Sequence, residues 1–243
     1  MNTASLTEYK VWDLPTRLFH WINVTAIIGL LFLGFIMLYK KELGISAIET
    51  KIALKEVHVV IGYIFGCNLL FRILWGFIGN TYSRWSSIIP GKNFPSTLRL
   101  YITSIKQGNT QQFLGHNPLG RLAIVFILLL MLTLLVSGLI RAGTDIYYPP
   151  FGSTIAEYIA APGVNPENIK PHDNEGTIKT KTDNIFQIKV IFGRTHRYTA
   201  FILMFMIALH IFIVIRTEVR EGGGLISAMF TGKKVLKKPP ADL

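Results

Sequence analysis

The residues of this chain whose type and spacing bear on chemistry are histidines. Two of them, His196 and His210, lie in one stretch, residues 193–216, which reads GRTHRYTAFILMFMIALHIFIVIR. They are 14 residues apart. On a helix that is close to four turns, so both side chains share nearly one face and stand about 21 Å apart along the axis. One metal ion cannot bridge that distance. Two separate groups, one towards each end of the stretch, can be held if other elements bring matching ligands. His20 and His58 are placed to do so.

A neutral imidazole is a ligand for zinc or for haem iron. Zinc sites take four protein ligands, or three with an open position. Here each depth offers two histidines, with no cysteine nearby, and the apolar runs hold one carboxylate, Glu56 at the start of the second. Two imidazoles facing each other across a flat ring are instead the ligand set of a low-spin haem, which favours electron transfer over binding small ligands at iron. The chain has a single cysteine, Cys67, so no CxxCH attachment motif, internal disulfide or thiolate iron–sulfur cluster can form. A haem here is held without thioether links. A lone histidine in an apolar helix usually caps or hydrogen-bonds across a bundle. Four at matched depths do not reduce to that.

The elements that must position these histidines are legible in the composition. Of 243 residues, 50% are hydrophobic and only 16% charged. Four apolar runs are long enough to cross a bilayer, which takes about 20 residues each: 18–39, 53–78, 119–140 and 190–215, with a long outer loop over 141–189. The expectation is one all-α membrane domain, a four-helix bundle over residues 1–243 that holds two b haems. The first apolar run carries His20 and lacks a small-residue cleavage site, so it reads as a retained span and not a signal peptide. The net charge of +11 would suggest nucleic acid in a soluble chain. Here its distribution accounts for it, and no nucleic acid partner is expected. Segment 79–118 holds Arg84, Lys92, Arg99 and Lys106 and no acid, and the tail adds Lys233, Lys234, Lys237 and Lys238. By the positive-inside rule both termini are cytoplasmic. His20 and His210 then lie on the inner side, His58 and His196 on the outer, each pair drawn from different helices.

Supporting groups follow from this frame. Haem propionates need cationic partners: Arg17 inside, Arg194 or Arg197 outside. Asp13 or Thr16 caps the first helix, with Pro15 near its start. Gly62 and Gly66, one and two turns after His58, permit close approach of a helix or a flat cofactor. Arg72 is expected to snorkel, Cys67 to be buried packing, and residues 95–107 and 153–160 to form short surface helices. His116 sits at the mouth of the third span, His172 in the outer loop, and Tyr147, Tyr148 and Phe151 form an outer aromatic patch.

These motifs resemble the bacterial cytochrome b561 family, within the wider group that includes b-type cytochrome subunits of nickel–iron hydrogenases. The opening VWDLPTRLFHW (11–21), His58 with Gly62, Arg72 with WGFIG (75–79), HNPLG (116–120), the 14-residue interval from His196 to His210, and the closing segment from Gly224 through Met229 to Lys233 carry the likeness. The resemblance implies two bis-histidine haems b, pairing His20 with His210 and His58 with His196, in the inner membrane. It also implies quinone chemistry and electron exchange with a periplasmic cytochrome c or a hydrogenase-type redox subunit. The principal expectation is an electron carrier between such a partner and the quinone pool. A superoxide:quinone oxidoreductase and a hydrogenase membrane anchor are the alternatives. The superoxide reading wants a cationic funnel, for which Lys51, Lys55, Arg194 and Arg197 are candidates. Whether the chain is itself an enzyme stays open.

Overall fold

The computed structural model describes residues 6–222, 224–236 and 239–242. Lys237 and Lys238, counted above in the basic tail, lie outside the described residues, as does Gly223. In chain order the elements are β1 (Thr7–Lys10), α1 (Leu14–Leu38), α2 (Ile48–Ile78), α3 (Trp85–Ile88), α4 (Phe94–Lys106), α5 (Pro118–Ile146), α6 (Gly152–Ile159), α7 (Lys179–Glu221), α8 (Leu225–Thr231) and β2 (Lys233–Leu236).

Local chemistry sets the ends of these helices. Asp13 Oδ1 accepts the Thr16 backbone N–H at 3.1 Å at the start of α1, and Asn117 Oδ1 accepts that of Gly120 at 2.7 Å at the start of α5. Both satisfy a donor that the first helical turn leaves free. Pro15 and Pro118 fall in those first turns, where a missing N–H costs nothing. Each long helix outruns its apolar stretch, because a helix continues through polar residues until a cap or turn stops it. The connection from α5 to α7 is therefore shorter than expected. It covers 147–178 and carries α6 and a 3-10 turn at Pro166–Asn168. The surface helices expected at 95–107 and 153–160 are α4 and α6.

Four helices, Leu14–Leu38, Ile48–Ile78, Pro118–Ile146 and Lys179–Arg220, are long and apolar enough to cross a membrane. Their flanks present bare aromatic and aliphatic side chains, with Phe77 69%, Phe205 67% and Phe32 65% exposed. Such a surface belongs against lipid. The protein is a multi-pass membrane protein. Cys67 belongs to this surface as well. It is exposed, not buried as expected, because the inward face of α2 passes through Phe65, Gly66, Asn68 and Leu69.

The chain forms two compact units, and each of α1, α2, α5 and α7 gives a segment to both. The first unit comprises 1–22, 68–129 and 203–243. In it β1 pairs antiparallel with β2, Thr7 opposite Leu236 and Lys10 opposite Lys233, so residues 7–10 lie against residues 233–236. Val11, Trp12, Leu114, Ala228 and Leu236 form its core. Gly232 accepts the backbone N–H groups of Val11 and Trp12. Its φ of 83° and the 2.6 Å that would separate a Cβ from Trp12 O both require glycine there. The second unit comprises 23–67 and 130–202. In it α2 lies close to α5, with Leu135 Cδ1 only 2.7 Å from where a Gly66 Cβ would stand.

Candidate haem-binding site

The second unit brings His58 and His196 ring to ring. Their centroids are 6.2 Å apart with the planes at 69°. Two imidazoles in line on one metal ion, each about 2 Å from it, have centroids about 6 Å apart, so the spacing leaves room for one ion between the rings. The structure also fits a flat prosthetic group in other respects. His58 Nδ1 is shielded from solvent and has no hydrogen-bond partner. Nothing lies within 4 Å of a Cβ at Gly62, one turn further along α2. On the other side His196 is seated against α5. Gly138 leaves room for its ring, since a Cβ there would stand 3.3 Å from His196 Cε1. Ser137 Oγ lies 3.1 Å from His196 Nδ1.

The first unit holds His20 and His210. His210 lies within electrostatic range of His20, and His20 Nδ1 is shielded and unpartnered. The ring of His20 stands edge-on to Trp21, centroids 5.1 Å apart. Trp21 Nε1 donates to Met229 O at 3.0 Å, which ties this end of α1 to α8. Arg17, the inner cation expected to serve a propionate, donates to Phe230 O and keeps its Nε shielded and unpartnered.

Arg194 and Arg197 are exposed, Arg197 over the ring of Tyr198. The cation whose charge reaches both His58 and His196 is Arg141. It stands one turn before Asp145 on α5, and that carboxylate gathers Lys189 at 2.5 Å, Lys55 at 2.8 Å and Arg141 at 3.4 Å. Lys55 Nζ also donates to His172 Nε2 at 2.8 Å. Asp145 lies in the last turn of α5, beyond the expected end of that span at residue 140 and so outside the apolar run read from the sequence. The Arg141–Asp145 interval of four residues was the available signal. Of the aromatic patch, Pro149 O accepts from Tyr63 Oη at 2.7 Å, and Tyr147 is pushed upward by burial and the nearby Asp145 charge.

Two cations of the first unit are buried where the sequence suggested exposure. Arg72 does not snorkel. It is 5% exposed, because Trp85 folds back across Gly76 and the Phe19 ring closes the other side. It stands 14 residues after His58, the interval that also separates His196 from His210, and that was a readable sign. Lys234, 3% exposed, donates to the carbonyls of Phe113, Leu114 and Gly115. Burial lowers its pKa to about 8.

Four helices of membrane length place the protein among multi-pass helical membrane proteins. Within that class the chain belongs to the prokaryotic cytochrome b561 family, whose model matches residues 11–232, and it is a b-type cytochrome. It is 23% identical over 236 residues to a probable Ni/Fe-hydrogenase B-type cytochrome subunit of Rhizobium leguminosarum bv. viciae, covering 93% of this chain and 89% of that protein. A subunit of the same description from Cupriavidus necator is 30% identical over 135 residues, 52% of this chain and 54% of that one. The probable Ni/Fe-hydrogenase 1 B-type cytochrome subunit of Escherichia coli K12 is 25% identical over 147 residues, 56% of this chain and 61% of that one. No solved structure matches the chain. The family resemblance read from residues 11–21, 75–79 and 116–120 is thereby met.

Proposed function

We propose that the protein is a di-haem electron carrier of the inner membrane, passing single electrons between a redox partner on the outer face and the quinone pool. His58 and His196 ligate the outer haem, His20 and His210 the inner one, and both termini face the cytoplasm. The observation that carries the reading is the facing of the His58 and His196 rings at 6.2 Å. Haem b supplies a one-electron iron couple when bound. The chain's own residues supply ligands, hold them in one tautomer and exclude water.

Arg141 supports the outer site, since its charge reaches both imidazoles and can face a propionate. Arg194 and Arg197 stay available as exposed cations for a docking partner. The names of the relatives favour a hydrogenase-type subunit as that partner over a soluble cytochrome c. A superoxide:quinone oxidoreductase is less well supported. Two of its funnel cations are already engaged, Lys51 on Ser46 O at 2.6 Å and Lys55 on Asp145.

The test is quantitative haem extraction with a reduced-minus-oxidised spectrum of detergent-purified protein. Two non-covalent b haems per chain are expected. In His210→Ala the inner haem goes and the outer stays. One haem in the unaltered protein, or unchanged stoichiometry in a folded His210→Ala variant, overturns the pairing.

A further inference from the structure

Arg72 is a buried cation to which the fold gives no counter-charge in contact. Its Nη2 donates to Ser83 O at 2.9 Å. The Trp85 and Phe19 rings flank it at 5.1 Å and 5.9 Å. Its Nη1 is shielded from solvent and meets no acceptor. Among the described residues no carboxylate stands within ion-pair distance of it. Asp13 is the acid within electrostatic range, but its oxygens are taken. Oδ1 accepts from Thr16 N and Ser83 Oγ, and Oδ2 from Trp75 Nε1 and Asn80 N. A buried guanidinium with one nitrogen bare is strongly destabilising unless an anion meets it.

The surroundings say which anion. Phe19, against Arg72, immediately precedes His20, and Asn68, one turn earlier on α2, donates to Phe19 O at 3.0 Å. The ring of His116 lies in reach of charge from Lys234, Arg72, Arg121 and His210. Its Nδ1 is also shielded and unpartnered. A cationic pole with two unfilled nitrogens thus adjoins both histidines of the first unit. A planar forked donor suits a carboxylate.

We infer that Arg72 Nη1 anchors a carboxylate of the haem held at His20 and His210, with His116 Nδ1 as the second donor. The inference rests on the di-haem reading. It makes Arg72 a positioning residue. A haem propionate, and not a protein acid, neutralises it. The positive charge held close to that haem also favours the reduced state.

The experiment uses full-length, detergent-purified protein with both haems. Midpoint potentials are titrated spectroelectrochemically, and haem retention is measured against a haem-scavenging apoprotein. His210→Ala assigns the inner signal. In Arg72→Gln the inner haem is expected to fall in potential and to be retained about 10- to 100-fold less well, the range for a lost charge-assisted hydrogen bond. The outer haem is expected to stay unchanged, which reports an intact fold. Arg72→Lys keeps the charge and restores most of the potential. His116→Gln weakens retention to a smaller degree. Unchanged potential and retention of the inner haem in Arg72→Gln overturn the inference, including the case in which the variant instead loses bound phospholipid. If Arg72→Gln does not fold, the same two readouts on Arg72→Lys and His116→Gln decide. If the unaltered protein lacks a second haem, the di-haem reading fails before Arg72 is touched.

Discussion

Ser137 fixes the imidazole of His196. Its Oγ donates to Thr133 O, one turn back on α5, at 2.6 Å and stands 3.1 Å from His196 Nδ1. A hydroxyl has one proton. With that proton on the backbone carbonyl, Oγ accepts from Nδ1–H, and Nε2 is left free to ligate. Holding a ligand's second nitrogen in this way sets both tautomer and ring angle.

On the di-haem reading proposed above, Ser137→Ala is therefore expected to weaken binding of the haem at His58 and His196 about tenfold or more, in the range for lost partners of metal-bound histidines. Haem titration with the inner haem as internal control measures it. Wild-type affinity and potential in the variant would remove the tautomer argument.

Gly138 is the seat of the same ring. A Cβ there stands 3.3 Å from His196 Cε1 and 3.6 Å from Nδ1, so Gly138→Ala asks the ring to yield by a few tenths of an ångström and should leave the haem in place. Gly138→Leu fills the seat. On the proposed di-haem reading it is expected to cut haem content from two per chain to one, with helicity by circular dichroism unchanged. Two haems in Gly138→Leu would show that the ring is held elsewhere.

Much of this was legible in the sequence. Apolar runs of membrane length betray themselves without tertiary knowledge, and the interval between His196 and His210 fixes a shared face because one helix carries both. The charged groups were less legible. Arg72 reads as a snorkelling residue because helical period gives its face but not what folds over it. Trp85 and Phe19 come from other elements. Asp145 reads as a loop acid because hydropathy ends the span before the helix ends. Its partners Lys55 and Lys189 are brought by α2 and α7, and only packing joins them. Cys67 shows the converse error, since in a lipid-facing helix an apolar neighbourhood in sequence does not mean burial.

The Asp145 cluster yields a stability prediction. The carboxylate is 7% exposed and joins α5 to α2, through Lys55, and to α7, through Lys189. Asp145→Asn leaves these cations facing one another. Removing one partner of a buried ion pair costs about 3–5 kcal/mol. Since the cations are partly open to solvent, about 1–3 kcal/mol is expected here. Thermal unfolding in detergent measures the loss. Limited proteolysis should find 147–178 cut faster, because the Lys55–His172 contact that holds this connection is weakened with it. A variant as stable and as resistant as the parent would show that the cluster is solvated and contributes little.

His116 is one of the buried groups that contribute to acid sensitivity below pH 6.5. Its ring packs on Trp12, centroids 4.8 Å apart. Burial, followed by the charges of Lys234, Arg72 and Arg121, lowers its pKa from the ordinary 6.5 to about 3. Without the haem carboxylate proposed above, whose charge would raise this pKa, the folded protein keeps this imidazole neutral down to that pH, whereas the unfolded chain takes the proton near 6.5. Between those values the unfolded state binds more protons, so stability rises with pH. The contribution is complete above pH 6.5 and is lost as pH falls towards 3, on the order of 5 kcal/mol in all. Lys234 does not confuse the reading, since its depressed pKa acts between about 8 and 10.5. His116→Gln is expected to flatten the fall in apparent melting temperature between pH 6.5 and 4 while leaving the alkaline side unchanged. Melting curves in detergent across that range decide it, and parallel slopes for parent and variant would place the acid sensitivity on another group.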